Sequence, residues 1–183
     1  GVEGKILAAN FARVNHIPYF GICLGMQISV IEFARNILGL KNANSTEFDL
    51  KTPFPVISLV TEWDDYKKGR LKGTLHQLGG TMRLGAQSCI LVKKSLAHSL
   101  YKKNVISERH RHRYEVNNKF VDDFNDTDLI FSGYSGDRDL MEMLEIKNHP
   151  WYLASQFHPE FTSSPLKGHP LFNSFIKTAY ETK

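Results

Sequence analysis

The chain has few cysteines, no long hydrophobic run and no strong charge bias. Two of its 183 residues are cysteines, Cys23 and Cys89, which excludes a disulfide-rich secreted scaffold and favours a reducing compartment. The longest uncharged apolar stretch, residues 17–31, contains glycine, glutamine and serine and is shorter than the ~20 apolar residues that span a bilayer. Because no segment has the pattern of a secretory signal, we expect a cytoplasmic protein without a membrane partner.

The overall composition is that of an ordinary globular protein. Hydrophobic residues make up 42% of the chain, charged residues make up 23%, and the formal net charge is +4. The basic residues are dispersed apart from residues 109–113, so we predict no nucleic-acid partner. The length predicts one domain over residues 1–183.

Hydrophobic periodicity predicts alternating strands and helices. Residues 2–15 and 24–38 have helical spacing, residues 17–22 and 151–157 read as buried strands, and residues 170–180 read as a closing helix. This alternation predicts an α/β fold with a mostly parallel open sheet flanked by helices. A domain rarely begins inside its first helix, so we also expect the domain to be N-terminally incomplete and to lack its first strands in this sequence.

The first motif with chemical potential surrounds Cys23. Residues 21–25 read Gly-Ile-Cys-Leu-Gly between a predicted strand and a predicted helix, which is the cysteine version of a nucleophile elbow. Glycines at positions 21 and 25 would relieve collisions at the sharp turn, and the helix N-terminus would favour the thiolate and lower the thiol pKa. The backbone N–H of Leu24 would face a developing oxyanion. A buried structural cysteine beside two turn glycines is the alternative reading.

The second motif is Gln-Phe-His-Pro-Glu at residues 156–160. In extended backbone, His158 and Glu160 lie on the same side, so the carboxylate can fix the imidazole tautomer and leave the other nitrogen as a base. A surface histidine beside a loop glutamate is the alternative. Although Cys23 and His158 lie 135 positions apart, the carboxyl ends of neighbouring strands in an open sheet would bring them together.

These motifs resemble the triad type of class I glutamine amidotransferase, at residues 18–27 and 156–160. Longer strings resemble the C-terminal glutaminase domain of the CTP synthase family, and they are residues 42–48, 61–63, 79–85, 108–118 and 158–165. The resemblance covers essentially the whole chain. It implies the flavodoxin-like class I amidotransferase fold.

The resemblance also implies residue roles. Cys23 would attack the carboxamide of L-glutamine to form a γ-glutamyl thioester, His158 would transfer protons, and Glu160 would orient His158. Leu24 would contribute to the oxyanion hole. The glutamine-binding residues would be Gln27 in the pocket, Glu47 at the α-ammonium and Arg113 near the α-carboxylate, and such charge pairs are chemically well matched.

The partners and cofactors are likewise implied by the resemblance. The ammonia would pass to a synthase domain of the same polypeptide, which would use ATP and Mg to aminate UTP. GTP would be an allosteric activator, and the full-length enzyme would be a homotetramer. This domain itself would need no cofactor or metal. The family has a Pro-Gly-Gly-Phe-Gly string just before the stretch corresponding to residues 1–4, and this string supplies a second oxyanion-hole N–H. Another class I amidotransferase, a γ-glutamyl hydrolase and an inert interaction module remain alternatives.

Several weaker signals have simpler readings. The alternating Arg-His run at residues 109–113 predicts one face of arginines, which we interpret as support for the site and less readily as a phosphate, nucleic-acid or metal site. Gly79 and Gly80 followed by Arg83 are compatible with a phosphate-binding turn, but they lack the ending of a P-loop. Cys89 lies in an apolar run and is predicted to belong to the core.

Overall fold

The computed structural model describes residues 1–59, 62–65, 69–72, 82–137 and 140–182, with the backbone alone in 62–65 and 69–72. The four α-helices of this part of the chain are α1 (Val2–Val14), α2 (Leu24–Asn36), α3 (Leu96–Tyr101) and α4 (Pro170–Glu181), and Asn118–Phe124 and Pro159–Phe161 are short 3₁₀ helices. Its strands are β1 (Tyr19–Ile22), β2 (Ala43–Ser45), β3 (Phe54–Leu59), β4 (Glu62–Asp65), β5 (Gly69–Lys72), β6 (Arg83–Leu91), β7 (Val105–His112), β8 (Tyr114–Val116), β9 (Leu129–Ser135), β10 (Met141–Ile146) and β11 (Tyr152–Ser155).

The main sheet has six described strands in the order β1-β11-β10-β9-β6-β7. Strands β1 and β11 are parallel, with Ile22 opposite Ser155, whereas the other neighbouring pairs described here are antiparallel. The predicted fold class, a sheet flanked by helices, is confirmed. The strand directions are mixed rather than mostly parallel, and only five residues separate β9 from β10, too few for the crossover helix that a parallel pair needs.

The helices cover both faces of this sheet. One apolar cluster packs α1 and α2 against residues such as Tyr152 and Ala154 of β11, and a second packs α3 and α4 against Leu153 of the same strand. Successive residues of a strand point to opposite faces, so a strand buried on both sides has an apolar sequence throughout. This accounts for the apolar residues 151–154 in the segment that predicted β11.

A second sheet, in the order β2-β3-β8, lies beside α2. Residues 42–55 are predicted to be loop, but Ala43–Ser45 pairs in parallel with β3 as β2. This short strand is polar, and its pairing depends on β3 rather than on its own pattern. Among the described residues, no helix is long and apolar enough to cross a membrane.

Candidate active site

Cys23 lies in a sharp turn between β1 and α2, as the motif predicts. Its φ is 52° and its ψ is −102°, a conformation that favours glycine and is strained for other residues. The backbone N–H of Cys23 donates to the Ser155 carbonyl at 2.7 Å, which fixes the turn to the end of β11. The sulfur therefore lies at the N-terminus of α2, at the carboxyl end of the parallel strand pair.

The two glycines of the motif have different roles. A Cβ atom built on Gly21 would lie 2.7 Å from the Gly25 carbonyl carbon and oxygen and 2.9 Å from the Cβ of Ala154. A Cβ atom on Gly25 would have the Tyr19 hydroxyl as its near neighbour, at 3.8 Å. The predicted collision is therefore present at Gly21 and absent at Gly25, which corrects the symmetric expectation.

His158 and Glu160 form the expected pair just beyond β11, but residues Pro159–Phe161 form a 3₁₀ turn rather than the extended backbone on which that expectation rested. The His158 Nδ1 lies 2.6 Å from a Glu160 carboxylate oxygen, and the His158 backbone N–H donates to the Arg109 carbonyl of β7 at 2.9 Å. The other ring nitrogen, Nε2, is buried and has no hydrogen-bond partner among the described residues. A nitrogen left unpaired beside an oriented one is what a general base requires.

Cys23 and His158 follow the ends of adjacent strands, but they are not hydrogen-bonded to each other. The unpaired His158 Nε2 shows this, and the Cys23 Sγ instead accepts from the side-chain Nε2 of Gln156 at 3.7 Å. Catalytic hydrogen bonds are often long before substrate binds, so the arrangement remains compatible with a Cys-His pair. Gln156 itself was not among the residues to which the sequence assigned a role.

A cavity of about 340 Å³ opens at the sulfur. It brings together five of the predicted site residues, which are Cys23, Leu24, Gln27, Glu47 and Arg113. The remaining lining residues are Met82, Arg111, His112 and Tyr114. His158 and Glu160 lie outside this lining. The cavity thus carries a nucleophilic sulfur, a carboxylate and guanidinium groups. The charged groups are complementary to the ammonium and carboxylate of a small amino acid.

The expected lowering of the thiol pKa is wrong for this structure. Burial raises the pKa of the Cys23 thiol to about 11, and the carboxylates of Glu115, Glu160 and Glu47 act in the same direction. The Leu24 backbone N–H, at the start of α2, lowers the pKa but is outweighed. Cys23 is therefore a thiol at neutral pH, and its attack on a carbonyl needs a base to take the proton.

A buried charge cluster lies behind the cavity, and we define it as Arg83, His110, His112, Glu115 and Glu142. The Arg83 Nη1 lies 2.8 Å from Glu115 and 2.7 Å from Glu142. The His110 Nδ1 lies 2.9 Å from the His112 Nε2. Burial lowers the pKa of His110 to about 2 and that of His112 to about 3, with Arg83 acting in the same direction. Both imidazoles are therefore neutral.

This cluster settles two of the weaker signals. The guanidinium of Arg83 is buried and paired with carboxylates, so it is not available to bind a phosphate, the less favoured interpretation of that turn; Gly79 and Gly80 lie outside the described residues. Along β7 the histidines are buried, whereas Arg109 and Arg111 are exposed, as the alternation predicts. Cys89 is fully buried in the core, as expected.

Comparison with known proteins identifies the family to which this chain belongs. Residues 1–178 match the family model of class I glutamine amidotransferases. The CTP synthase glutaminase domain of Trypanosoma brucei, solved with bound acivicin, is 38% identical to this chain with a TM-score of 0.86. That match covers 99% of this chain and 67% of the trypanosomal one.

Two more distant structures share the fold alone. A protein from Thermoplasma acidophilum, described as a putative GMP synthase subunit, is 17% identical with a TM-score of 0.55, and the match covers 96% of this chain and 63% of that one. A glutamine amidotransferase from Thermotoga maritima is 12% identical, with a TM-score of 0.51, and the match covers 98% and 54%. The family-model match extends over nearly the whole chain, and the chain therefore belongs to the class I glutamine amidotransferase family.

Proposed function

We propose that this chain is the glutamine-hydrolysing part of a CTP synthase. The observation that supports it is the joint placement of Cys23, Gln27, Glu47 and Arg113 around one cavity, in a chain 38% identical to a CTP synthase glutaminase domain. The product of this domain is ammonia, used elsewhere to aminate UTP to CTP.

The proposed reaction proceeds through a thioester. As the Cys23 sulfur attacks the side-chain carboxamide carbon of L-glutamine, its proton passes to the Nε2 of His158. The Leu24 N–H donates to the oxyanion. The carbon–nitrogen bond then breaks, and His158 returns the proton to the leaving ammonia. Water, deprotonated by His158, attacks the thioester and releases glutamate and the free thiol.

The charges at the cavity favour a zwitterionic amino acid. Glu47 and Arg113 both line the cavity, where the Glu47 carboxylate would pair with an α-ammonium and the Arg113 guanidinium would pair with an α-carboxylate. An ammonium at Glu47 would also neutralise one of the charges that raise the Cys23 pKa. Substrate binding would then make ionisation of the sulfur easier at the moment of attack.

The rest of the enzyme follows from the same proposal. A synthase domain of the same polypeptide would receive the ammonia and would use ATP and Mg, with GTP activating the glutaminase. The full-length enzyme would be a cytoplasmic homotetramer. These statements remain predictions.

Labelling and substitution test the proposal. A glutamine-analogue electrophile such as acivicin should modify Cys23, and L-glutamine should protect it. In the full-length protein, Cys23→Ala should abolish glutamine-dependent CTP formation and spare ammonia-dependent CTP formation. Both rates are measured by the absorbance of CTP.

Two of the three alternatives predict a different labelling result. Protection by γ-glutamyl peptides alone would indicate a hydrolase, and absence of selective labelling would indicate an inert module. Loss of both the glutamine- and ammonia-dependent activities in Cys23→Ala would mean that Cys23 is structural.

A further inference from the structure

Gln156 is a buried amide in direct contact with the sulfur. It follows β11, its side chain is fully buried with 0% exposure, and its Nε2 lies 3.7 Å from the Cys23 Sγ. Its backbone N–H donates to the Glu142 carbonyl at 2.8 Å, which holds the residue at the end of β10. A buried amide costs free energy unless its donors and acceptor are used. The contact with sulfur uses one of these donors.

A backbone carbonyl determines which end of this amide faces the sulfur. The Tyr114 carbonyl can only accept, and it lies 2.9 Å from the Gln27 side-chain Nε2. The same Gln27 nitrogen lies 3.3 Å from the Gln156 Oε1. With its oxygen held by Gln27, Gln156 must direct its NH₂ group towards Cys23. The amide chain therefore runs from the backbone of β8 through Gln27 and Gln156 to the sulfur.

The sulfur needs such a donor because its surroundings disfavour negative charge. Three carboxylates act against ionisation, on Glu47, Glu115 and Glu160, and the Leu24 N–H acts for it. The other charged or titratable groups around the site are Arg111, His112, Arg113, Tyr114 and His158. Hydrogen bonds to a charged acceptor are stronger than those to a neutral one, so the Gln156 N–H binds the thiolate more tightly than the thiol.

We propose that Gln156 holds the Cys23 sulfur in place and stabilises its thiolate form, with Gln27 fixing the direction of the amide. This inference rests on the proposed role of Cys23 as the nucleophile. Because Gln27 also lines the cavity, a ligand that moves Gln27 would alter the bond to the sulfur. Gln156 is thereby assigned to the reacting centre, together with Leu24.

Gln156→Met tests the assignment, because it keeps a similar volume and removes the donor. The readout is the rate of Cys23 alkylation by iodoacetamide in the whole chain as a function of pH, which requires no turnover. We expect the thiol pKa to rise by about one unit, which lowers the thiolate fraction about tenfold. Since intrinsic nucleophilicity rises with pKa, the rate at a fixed pH below the pKa should fall roughly threefold.

Three further variants complete the experiment, one as a second test and two as controls. Gln156→Glu, which places a carboxylate at the sulfur, should raise the thiol pKa further. Tyr152→Phe, which removes one buried hydrogen bond from the same region of β11, should leave the alkylation profile unchanged. Cys23→Ala should abolish alkylation by iodoacetamide, because the remaining cysteine, Cys89, is buried, and this shows that the measured rate belongs to Cys23. A folded Gln156→Met protein with the wild-type profile would overturn the proposal.

A measurement on the unmodified chain covers the case in which Gln156→Met does not fold. The side-chain amide resonance of Gln156 should shift with the same midpoint as Cys23 alkylation, and this shift should disappear in Cys23→Ala. An amide resonance that does not respond to ionisation of Cys23 would overturn the proposal. If the proposed function fails, acivicin labelling is lost while this titration persists, so the two failures are distinguishable.

Discussion

At Cys23, two influences act on the same sulfur in opposite directions. The start of α2 favours a thiolate, and this influence is readable from the local spacing of glycine, cysteine and helix. Burial and carboxylates such as Glu115 favour the thiol, and Glu115 lies 92 positions away along the sequence. The turn was predictable because it is local. The direction of the pKa shift was not, because it depends on residues that only the fold brings together.

Glu160→Gln tests the orientation of His158. The amide keeps the shape of the carboxylate but no longer stabilises the imidazolium, and it can hold the wrong tautomer. We expect kcat for glutamine hydrolysis to fall about 100-fold or more, with KM changed much less. Steady-state kinetics of glutamate release would measure both constants.

The Glu160 side chain is 44% exposed, so this substitution should leave folding almost unchanged. The selective loss of kcat provides the readout, because a purely structural disturbance of the site would change KM as well. Unchanged kcat in Glu160→Gln would remove Glu160 from the proposed mechanism.

At the scale of elements, the junction of β1, β11 and α2 fixes the site. The parallel pairing of Ile22 with Ser155 aligns the two strand ends, and the Cys23 N–H extends that pairing into the turn. Apolar patterning predicted these three elements well, since α2 and β11 are buried along most of their length and β1 is at least partly buried throughout. It did not predict β2, whose pairing is supplied by β3, or the full length of β6, which alternates buried and exposed residues.

Gly21→Ala and Gly25→Ala form a matched pair at this junction. The methyl group at position 21 would overlap the backbone of Gly25, and such overpacking typically costs about 1–3 kcal/mol. The methyl group at position 25 meets open space apart from the Tyr19 hydroxyl and lies in α2, where alanine is the better helix former by about 1 kcal/mol.

Urea unfolding of the two variants would measure the difference. We expect Gly21→Ala to be clearly destabilised and Gly25→Ala to be as stable as the parent chain or more so. Equal destabilisation of both variants would restore the symmetric explanation of the motif.

At the scale of the whole molecule, the buried charge cluster joins β6, β7, β8 and β10 behind the cavity. One guanidinium, Arg83, faces two carboxylates, and burial raises the pKa of Glu142 to about 8 and also raises that of Glu115. Because Arg83 balances one of the two charges, we treat the pair as holding one extra proton in the folded state. All of these residues except Glu142 lie in the strings on which the family resemblance rests, but the pairing among them depends on the register of four strands.

This cluster predicts the pH dependence of stability. His110 and His112 remain neutral when folded but take up protons near pH 6.5 when unfolded, so their contribution is lost as the pH falls below 6.5. The extra proton of the Glu115–Glu142 pair acts oppositely, and its contribution is lost as the pH rises towards 8. Two histidines outweigh one carboxyl proton below pH 6.5, giving a net loss of roughly 1.4 kcal/mol per pH unit.

Unfolding free energies from pH 5 to pH 8 would measure this dependence. In His110→Gln, one of the histidines that produce this dependence is removed, so the slope between pH 5 and 6.5 should become clearly shallower. The exposed Val105 of β7, substituted as Val105→Thr, carries no titratable group and serves as the control, so it should keep the parental slope. A parental slope in His110→Gln would contradict the assignment.

The glycine-like backbone of Cys23 has a consequence for gene copies that no longer perform the chemistry. The backbone at φ 52° is strained with cysteine at this position, which lowers the stability of the fold, and glycine would adopt the same conformation without that strain. A duplicated copy that is no longer selected for catalysis would gain thermal stability from the single substitution Cys23→Gly. Glycine at this position in a relative whose other site residues are intact would therefore identify an inactive homologue from its gene sequence alone.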